Sequence, residues 1–191
     1  MRFLTPEEVE HLANTIGPEY STLVRFAAYT GLRAGEVAAL KVKRLDLMRG
    51  SVNVTESLSE AHGEVQLGPT KTYASRSVAL PRLLVDDLAE HLAVRGIADD
   101  PEAFVFATPT GEPMRPSNWY PRHFKPAVEA AGLAPLRFHD LRHTCAALLI
   151  AQGAHPRTIM ERLGHSSVTT VTRPVRAPLA VPGRGADRRS R

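Results

Sequence analysis

The densest group of polar residues that could do chemistry lies in the segment HDLRHT, residues 139–144. His139 stands three residues before Arg142 and four before His143, so on a helix these side chains share one face. Two histidines at this spacing can bind a metal ion, and a metal-dependent phosphohydrolase using His139, Asp140 and His143 is one reading. The glutamate that usually stands between such histidines is absent. The structural alternative is a helix N-terminus that simply carries polar residues.

A second candidate is Arg33, in the segment TGLRAGEVAAL. It stands at a predicted corner between two helices, flanked by Gly31 and Gly35, and Glu36 follows three residues later. The planar guanidinium of an arginine on a rigid corner can bind a phosphate through two parallel hydrogen bonds. The structural alternative is a surface ion pair between Arg33 and Glu36, worth a few tenths of a kcal/mol.

A lysine and a histidine complete the set of candidates. Lys71 lies in GPTKTYASRSVALP between two predicted strands, and Arg76 follows it. Basic residues on a hairpin are most often solvated, which is the structural alternative for both. His165 follows a helix end at Gly164 in ERLGHSS, where a histidine can simply interact with the helix dipole. Taken one at a time, these motifs do not specify a function.

The elements that would position these residues are mostly helices. Residues 5–8 (TPEE) form a capping box with proline at the first helical position, so a helix begins there. Apolar spacing predicts further helices, and short segments separated by glycines predict a three- or four-stranded antiparallel sheet. The fold class is therefore mostly α with a small antiparallel β-sheet (α+β). The later helices are predicted at 21–30, 34–40, from Pro81 to 94, 119–131, 139–152 and 156–163, and the strands at 45–47, 51–54, 64–67 and 77–80.

Composition limits the classes of function. The single cysteine, Cys145, excludes a disulfide framework and a cysteine-based zinc cluster. The sequence has no apolar run of about 18 residues and no signal peptide, which predicts a cytoplasmic protein with no membrane partner.

The charge is unevenly distributed along the chain of 191 residues. Its net charge of +4 suggests an acidic polymer as partner. Residues 172–191, however, contribute +5 through six arginines and one aspartate, which leaves −1 for residues 1–171. Because this last stretch also lacks apolar periodicity, we expect residues 171–191 to be a disordered basic tail.

In this order and spacing, the four motifs together resemble the catalytic domain of the tyrosine recombinase (phage integrase) family. The resemblance rests on TGLRxGEVxxL, the KTxxSxRxVxLP hairpin, HDLRHTxAxxxxxxG and ERLGHSS, and it covers roughly residues 4–170. It implies the fold of the DNA breaking-rejoining enzymes over residues 1–170. It also implies a DNA strand transferase that works without a metal or another cofactor.

The resemblance assigns roles to the residues around a DNA phosphodiester. Arg33 and Arg142 would clamp its non-bridging oxygens and stabilise the charge that builds up during attack, while Glu36 would support Arg33. His139 would assist proton transfer at the nucleophile.

The remaining roles implied by the resemblance concern the leaving group and the DNA backbone. Lys71 would protonate the leaving 5′ oxygen, and His165 would donate a hydrogen bond to the phosphate. Backbone contacts position a protein on DNA and carry little sequence information. The candidates for such contacts are Lys41, Lys43, Arg44 and Arg76.

The chain departs from the family pattern at its nucleophile. Family members attack with a tyrosine about nine or ten residues after the histidine of LGH, and here those positions hold Pro174 and Val175. No tyrosine follows Tyr120. Without this residue a covalent 3′-phosphotyrosyl intermediate cannot form, so we expect the chain as written to be inactive.

A shift of the reading frame would explain this departure. Back-translation of residues 173–179 with free third bases, read one base out of register, can give Asp-Arg-Tyr-Gly-His-Leu, which is similar to the family's tyrosine motif. The tyrosine codon then overlaps Val175 and Arg176, ten codons after His165. We therefore hypothesise that the sequence from about Val171 onward is out of frame.

The resemblance implies double-stranded DNA and other recombinase subunits, in a tetramer on DNA, as partners, and no small-molecule substrate. It implies a bacterial or phage-encoded protein associated with the nucleoid. Relatives usually carry an N-terminal domain that clamps the other face of the DNA, and Met1 stands only a few residues before the first predicted helix. The alternatives are a non-catalytic DNA-binding or regulatory protein and a decayed remnant of a mobile element.

Overall fold

The computed structural model of the chain describes residues 2–61, 64–70 and 75–164. It begins with α1 (Pro6–Ile16) and α2 (Pro18–Thr30), which pack against each other, and α3 (Ala34–Ala38) follows. The remaining elements are a 3₁₀ turn (Val42–Arg44), β1 (Leu45–Asp46), β2 (Ser51–Val54), β3 (Glu56–Ala61), β4 (Glu64–Pro69), β5 (Arg76–Ala79), α4 (Arg82–Val94), α5 (Pro116–Trp119), α6 (Lys125–Ala130), α7 (Phe138–Ala151) and α8 (Pro156–Leu163).

The capping box predicted at the N-terminus is confirmed. The Glu8 amide donates to Thr5 Oγ1 at 3.2 Å, and the Thr5 amide donates to Glu8 Oε2 at 3.0 Å. Helix α2 begins three residues earlier than predicted, because Pro18 takes its first helical position directly after Gly17. Local sequence signals therefore define both helix starts.

The predicted antiparallel sheet is divided into two. One sheet has the strand order β1-β2-β5, with Val52 paired to Val78, and the other is the β3–β4 hairpin. No strand was predicted at Glu56–Ala61. Leu58 is the one buried side chain of that strand, so the segment lacks the alternation of buried and exposed residues that indicates a strand.

The helix predicted over residues 119–131 is interrupted. Helix α5 ends at Trp119, a π-helical turn covers Tyr120–Phe124, and α6 follows. Pro121 and Pro126 lie in this stretch, and each lacks the amide that would continue the α-helical hydrogen-bond pattern.

A single large apolar core joins the helices to the three-stranded sheet. Its fully buried members include Phe26 of α2, Leu84 and Leu88 of α4, Phe124 of the segment before α6, and Leu141 of α7. Helix α2 packs on α7, and α8 contacts both α7 and β5. Four elements thus converge at one place: the corner after α2, the start of β5, α7 and the end of α8.

Within the described part of the chain, no helix is both long enough and apolar enough to cross a membrane.

Candidate functional site: an arginine cluster at the end of α8

Arg33 lies at the corner between α2 and α3. Gly31 ends α2 in the left-handed conformation, with φ of +68°, and its amide donates to the Ala27 carbonyl. A Cβ atom on Gly31 would lie 2.5 Å from Leu163 Cδ2 and 3.1 Å from Cys145. Glycine at this position therefore lets α7 and α8 come close to the corner that carries Arg33.

Replacing Gly31 by alanine is expected to lower the free energy of unfolding by about 2–4 kcal/mol. The left-handed conformation costs alanine about 1–2 kcal/mol, and the overlap with Leu163 adds a packing penalty. Urea denaturation measures the change. Gly153→Ala is the matched control, because Gly153 also has a positive φ, of +75°, but nothing within 4 Å of its added Cβ. Equal losses in the two variants would contradict the close-packing argument.

Three arginines, Arg33, Arg76 and Arg142, form a cluster at the end of α8. Glu36 is its buried centre, with a side chain that is 1% exposed. Its Oε1 accepts hydrogen bonds from Arg33 Nη1 and Arg76 Nη1, both at 3.0 Å. Its Oε2 accepts from the Arg33 amide at 2.8 Å and from Arg76 Nη2 at 2.7 Å. Burial by itself raises the pKa of a carboxyl group, but the hydrogen bonds from Arg76 and the Arg33 amide outweigh it, and the pKa of Glu36 is lowered.

Arg142 lies next to the corner between α2 and α3 and is 3% exposed. Its Nη1 donates to the Gly31 carbonyl, and its Nη2 donates to the Leu163 carbonyl. Burial, followed by the positive charge of Arg33, lowers the pKa of Arg142 to about 10, so the side chain remains charged at neutral pH. A charged guanidinium is therefore held between the end of α2 and the end of α8.

The end of α8 receives a hydrogen bond at each of three successive carbonyl groups. The Arg162 carbonyl accepts from Arg76 Nε at 3.0 Å, the Leu163 carbonyl from Arg142, and the Gly164 carbonyl from Arg33 Nη2 at 3.2 Å. The last carbonyls of a helix lack partners within it and carry its partial negative charge. The helix end therefore fixes one side of each guanidinium.

His139 and His143 lie near Arg142 on α7, with ring centroids 4.9 Å apart. Partial burial, followed by the charges of His143 and Arg142, lowers the pKa of His139 below 6.5, so its imidazole is neutral at pH 7. Beside His139 is a cavity of about 300 Å³. Its apolar lining includes Leu32, Val37, Met114, Trp119, Tyr120 and Phe138.

The Asp140 carboxylate accepts hydrogen bonds from Arg137 rather than from the histidines. Its Oδ2 accepts from the Arg137 amide at 2.9 Å, and its Oδ1 accepts from Arg137 Nη2 at 2.9 Å. Among residues 2–61, 64–70 and 75–164, no three histidine, cysteine, aspartate or glutamate side chains are grouped so that they could hold a metal ion.

Comparison with known protein families identifies the family of the chain. Residues 2–176, nearly the whole chain, match the phage integrase family. The chain belongs to this family. Among curated relatives, the ICEBs1 integrase of Bacillus subtilis (strain 168) is 32% identical in an alignment 187 residues long, and the match covers 89% of this chain and 49% of that protein. The chain thus spans about half the length of the curated relatives it matches.

Solved structures confirm the α+β recombinase fold expected for a phage integrase. The Tn1549 transposon integrase, in complex with a circular intermediate DNA, superposes with a TM-score of 0.78 at 22% identity, covering 89% of this chain and 60% of that one. XerA recombinase superposes with a TM-score of 0.74 at 25% identity, covering 92% and 61%. The fold class read from the sequence is therefore correct.

Three of the basic residues suggested as DNA contacts lie together near the 3₁₀ turn. Lys41 donates to Glu102 at 2.9 Å, and Lys43 also donates to Glu102. Hydrogen bonds from Lys43 and then Lys41 lower the pKa of Glu102 to about 2. Arg44 Nη2 lies 3.9 Å from Glu56. Each of these three cations therefore has an acidic neighbour on the protein.

The fourth suggested DNA contact, Arg76, lies inside the arginine cluster, and Arg162 borders it. Arg162 Nη2 donates to the carbonyls of Tyr29 and Ala79, each at 2.8 Å. Sequence reasoning suggested Arg76 as a DNA-backbone contact rather than as a member of the cluster, and it did not single out Arg162. A signal existed for Arg76, because the alternation of β5 places it on the same face as the buried Val78. We find no such signal for Arg162.

Two catalytic residues implied by the resemblance, Lys71 and His165, lie outside the described residues. The same is true of residues 171–191, for which a disordered tail was expected. The described structure therefore brings together Arg33, Glu36 and Arg142, with His139 one helical turn from Arg142.

Proposed function

We propose that this chain is the catalytic part of a site-specific DNA recombinase, in which Arg33 and Arg142 bind a DNA phosphodiester. The arginine cluster is the observation that carries the proposal. In the described cluster, Arg33, Arg76 and Arg142 bring three positive charges together against the single negative charge of Glu36. Such an excess of fixed positive charge stabilises the negative charge that develops at a phosphorus under attack.

The neighbouring residues fit acid–base roles in the same reaction. A neutral His139 can accept the proton of an attacking hydroxyl group, because its lowered pKa leaves a ring nitrogen free to do so at pH 7. We assign to Lys71 the protonation of the leaving 5′ oxygen and to His165 a hydrogen bond to the phosphate. Lys71 stands in the sequence between β4 and β5, and His165 directly follows Gly164, whose carbonyl binds Arg33.

We assign the catalytic domain to residues 1–170, with double-stranded DNA as its partner and further recombinase subunits beside it. The Tn1549 integrase with a similar fold is bound to DNA, which supports the choice of partner. A cytoplasmic protein associated with the nucleoid follows from a DNA substrate.

The second candidate function is a DNA-binding protein without strand-transfer activity. The sequence favours it in one respect, because no tyrosine follows Tyr120 and a covalent phosphotyrosyl step needs one. Both candidates require the arginine cluster to bind DNA. They differ only in whether a nucleophile completes the site.

Binding to DNA is expected to depend on the cluster. Arg33→Ala should weaken binding to a 30-base-pair duplex about 10-fold and reduce the slope of log affinity against log salt by about one, because one phosphate contact is lost. Fluorescence anisotropy at several salt concentrations measures both quantities. Arg142→Lys is the second variant, since it keeps a positive charge at a buried position.

Arg82→Ala is the matched control, because the Arg82 side chain is 92% exposed and lies on α4. It should bind like the unchanged chain. Unchanged affinity and salt slope in both Arg33→Ala and Arg142→Lys would refute the assignment of the phosphate site.

A further inference from the structure

We propose that Arg76 is a positioning residue of this site: it fixes the orientation of Arg33 through the shared carboxylate of Glu36 and makes no phosphate contact of its own. The inference rests on the proposed function, because it concerns how the arginines proposed to bind phosphate are held.

The donors of Arg76 are directed into the protein. Its side chain is 11% exposed, both of its Nη atoms donate to Glu36, and its Nε donates to the Arg162 carbonyl. The two donors of Arg142 bind neutral carbonyl groups, whereas Arg76 is bound to a carboxylate that compensates its charge and leaves less of it to attract a phosphate. The hydrogen bonds of Arg76 therefore fit a residue that orients its neighbours within the fold.

Glu36 transmits the effect of Arg76 to Arg33. Each carboxylate oxygen accepts one hydrogen bond from Arg76 and one from Arg33, through Nη1 to Oε1 and through the backbone amide to Oε2. A planar guanidinium bound to both oxygens fixes the plane of the carboxylate. The plane of the carboxylate in turn sets the direction in which Arg33 Nη1 must point.

The end of α8 forms the second connection between the two arginines. Arg76 Nε and Arg33 Nη2 bind carbonyl groups two residues apart, those of Arg162 and Gly164. A Cβ atom on Gly164 would lie 3.3 Å from the Arg76 guanidinium, so the glycine permits this close approach. Arg76 thus binds Glu36 and the end of α8, the same two parts of the fold to which the Arg33 guanidinium is bonded.

Loss of Arg76 should release Arg33 without removing it. The Glu36 carboxylate would then face one guanidinium instead of two, and its plane would no longer be fixed. Arg33 would leave the Gly164 carbonyl and turn from the direction in which it is proposed to meet a phosphate.

The first measurement observes Arg33 directly and needs no DNA. In nitrogen-15 NMR spectra of the full chain, hydrogen bonds on both Nη atoms slow the rotation about their bonds to Cζ, and the Arg33 signals are identified as those missing from Arg33→Ala. We expect Arg76→Gln to abolish this slow rotation and the exposed Arg82→Gln to preserve it. Arg76→Lys is the second variant, because its ammonium keeps a positive charge beside Glu36 but cannot bind both oxygens and the Arg162 carbonyl together.

The second measurement is a double-mutant cycle on binding to the 30-base-pair duplex. If Arg76 acts through Arg33, Arg76→Gln should weaken binding about 5-fold in the unchanged chain and not at all in the Arg33→Ala background. If Arg76 contacts phosphate itself, the two effects multiply.

The outcomes separate this inference from the proposed function. Faster rotation of Arg33 in Arg76→Gln or Arg76→Lys, together with a non-additive cycle, supports the positioning role. Unchanged Arg33 rotation in both variants, or effects on DNA binding that multiply, overturns it. If the unchanged chain does not bind DNA, the proposed function fails, and the rotation of Arg33 alone then decides whether Arg76 positions it.

Discussion

Glu36→Gln is expected to lower the free energy of unfolding by about 3–5 kcal/mol. The substitution removes the negative charge of Glu36, which faces the guanidinium groups of Arg33 and Arg76, and the Glu36 side chain is 1% exposed. Breaking a buried ion pair by removing one partner costs about this much, because the other charge stays buried without compensation. Chemical denaturation at pH 7 measures the loss.

Glu102→Gln is the control, since Glu102 also accepts from two basic side chains, Lys41 and Lys43, but is 60% exposed. Exposed pairs contribute little, so its stability should change far less than that of Glu36→Gln. A similar small loss in Glu36→Gln would show that the cluster does not depend on the buried carboxylate.

The difference in stability between the unchanged chain and Glu36→Gln depends on pH, and the direction of that dependence follows from the pKa of Glu36. The pKa of Glu36 is lowered in the folded state, so its contribution to stability is fully present above the unfolded-state value of about 4.5 and is lost as pH falls through the folded-state pKa. The stability difference between the unchanged chain and Glu36→Gln should therefore decrease as the pH falls below 4.5.

A chain whose reading frame is restored from residue 173, so that a tyrosine replaces Val175, is expected to become covalently linked to DNA, whereas the chain as written is not. The phenol supplies the nucleophile that the present sequence lacks after Tyr120. Nicked duplexes that lose a short product after cleavage trap the phosphotyrosyl link. A pool with randomised sequence around the nick avoids the need to know the target, and a denaturing gel detects the adduct.

Arg33→Ala in the restored chain is the control, and it should reduce the adduct by at least about 100-fold because the transition state loses a fixed positive charge. An adduct formed by the chain as written would refute its inactivity. A restored chain that binds DNA but forms no adduct would refute the reading-frame hypothesis and favour the non-catalytic function.

Features that depend on neighbouring residues could be predicted from the sequence. The Thr5–Glu8 capping box, the stop at Gly31 and the pairing of Arg33 with Glu36 each involve residues at most three apart or a single backbone conformation. The prediction of one continuous helix over 119–131 was wrong. The reason is also local, because Pro121 and Pro126 interrupt that helix.

Features that depend on distant residues could not be predicted in this way. Strand β3 has one buried side chain, Leu58, and its position follows from pairing with β4 and from the corner at Gly35, where a Cβ atom would lie 2.3 Å from the Leu58 carbonyl. The sequence of this strand contains no local pattern that predicts its contact with Gly35.

The sequence by itself determined the family, the α+β class and the residue types of the site, because motif spacing and helix signals are local properties. Only the tertiary structure decided how the arginines are held. Arg142 donates to the carbonyls of Gly31 and Leu163, and Arg76 joins Glu36 to the end of α8. These bonds link residues far apart in sequence, and the burial that makes each buried charge require a partner arises only when α2, β5, α7 and α8 pack together.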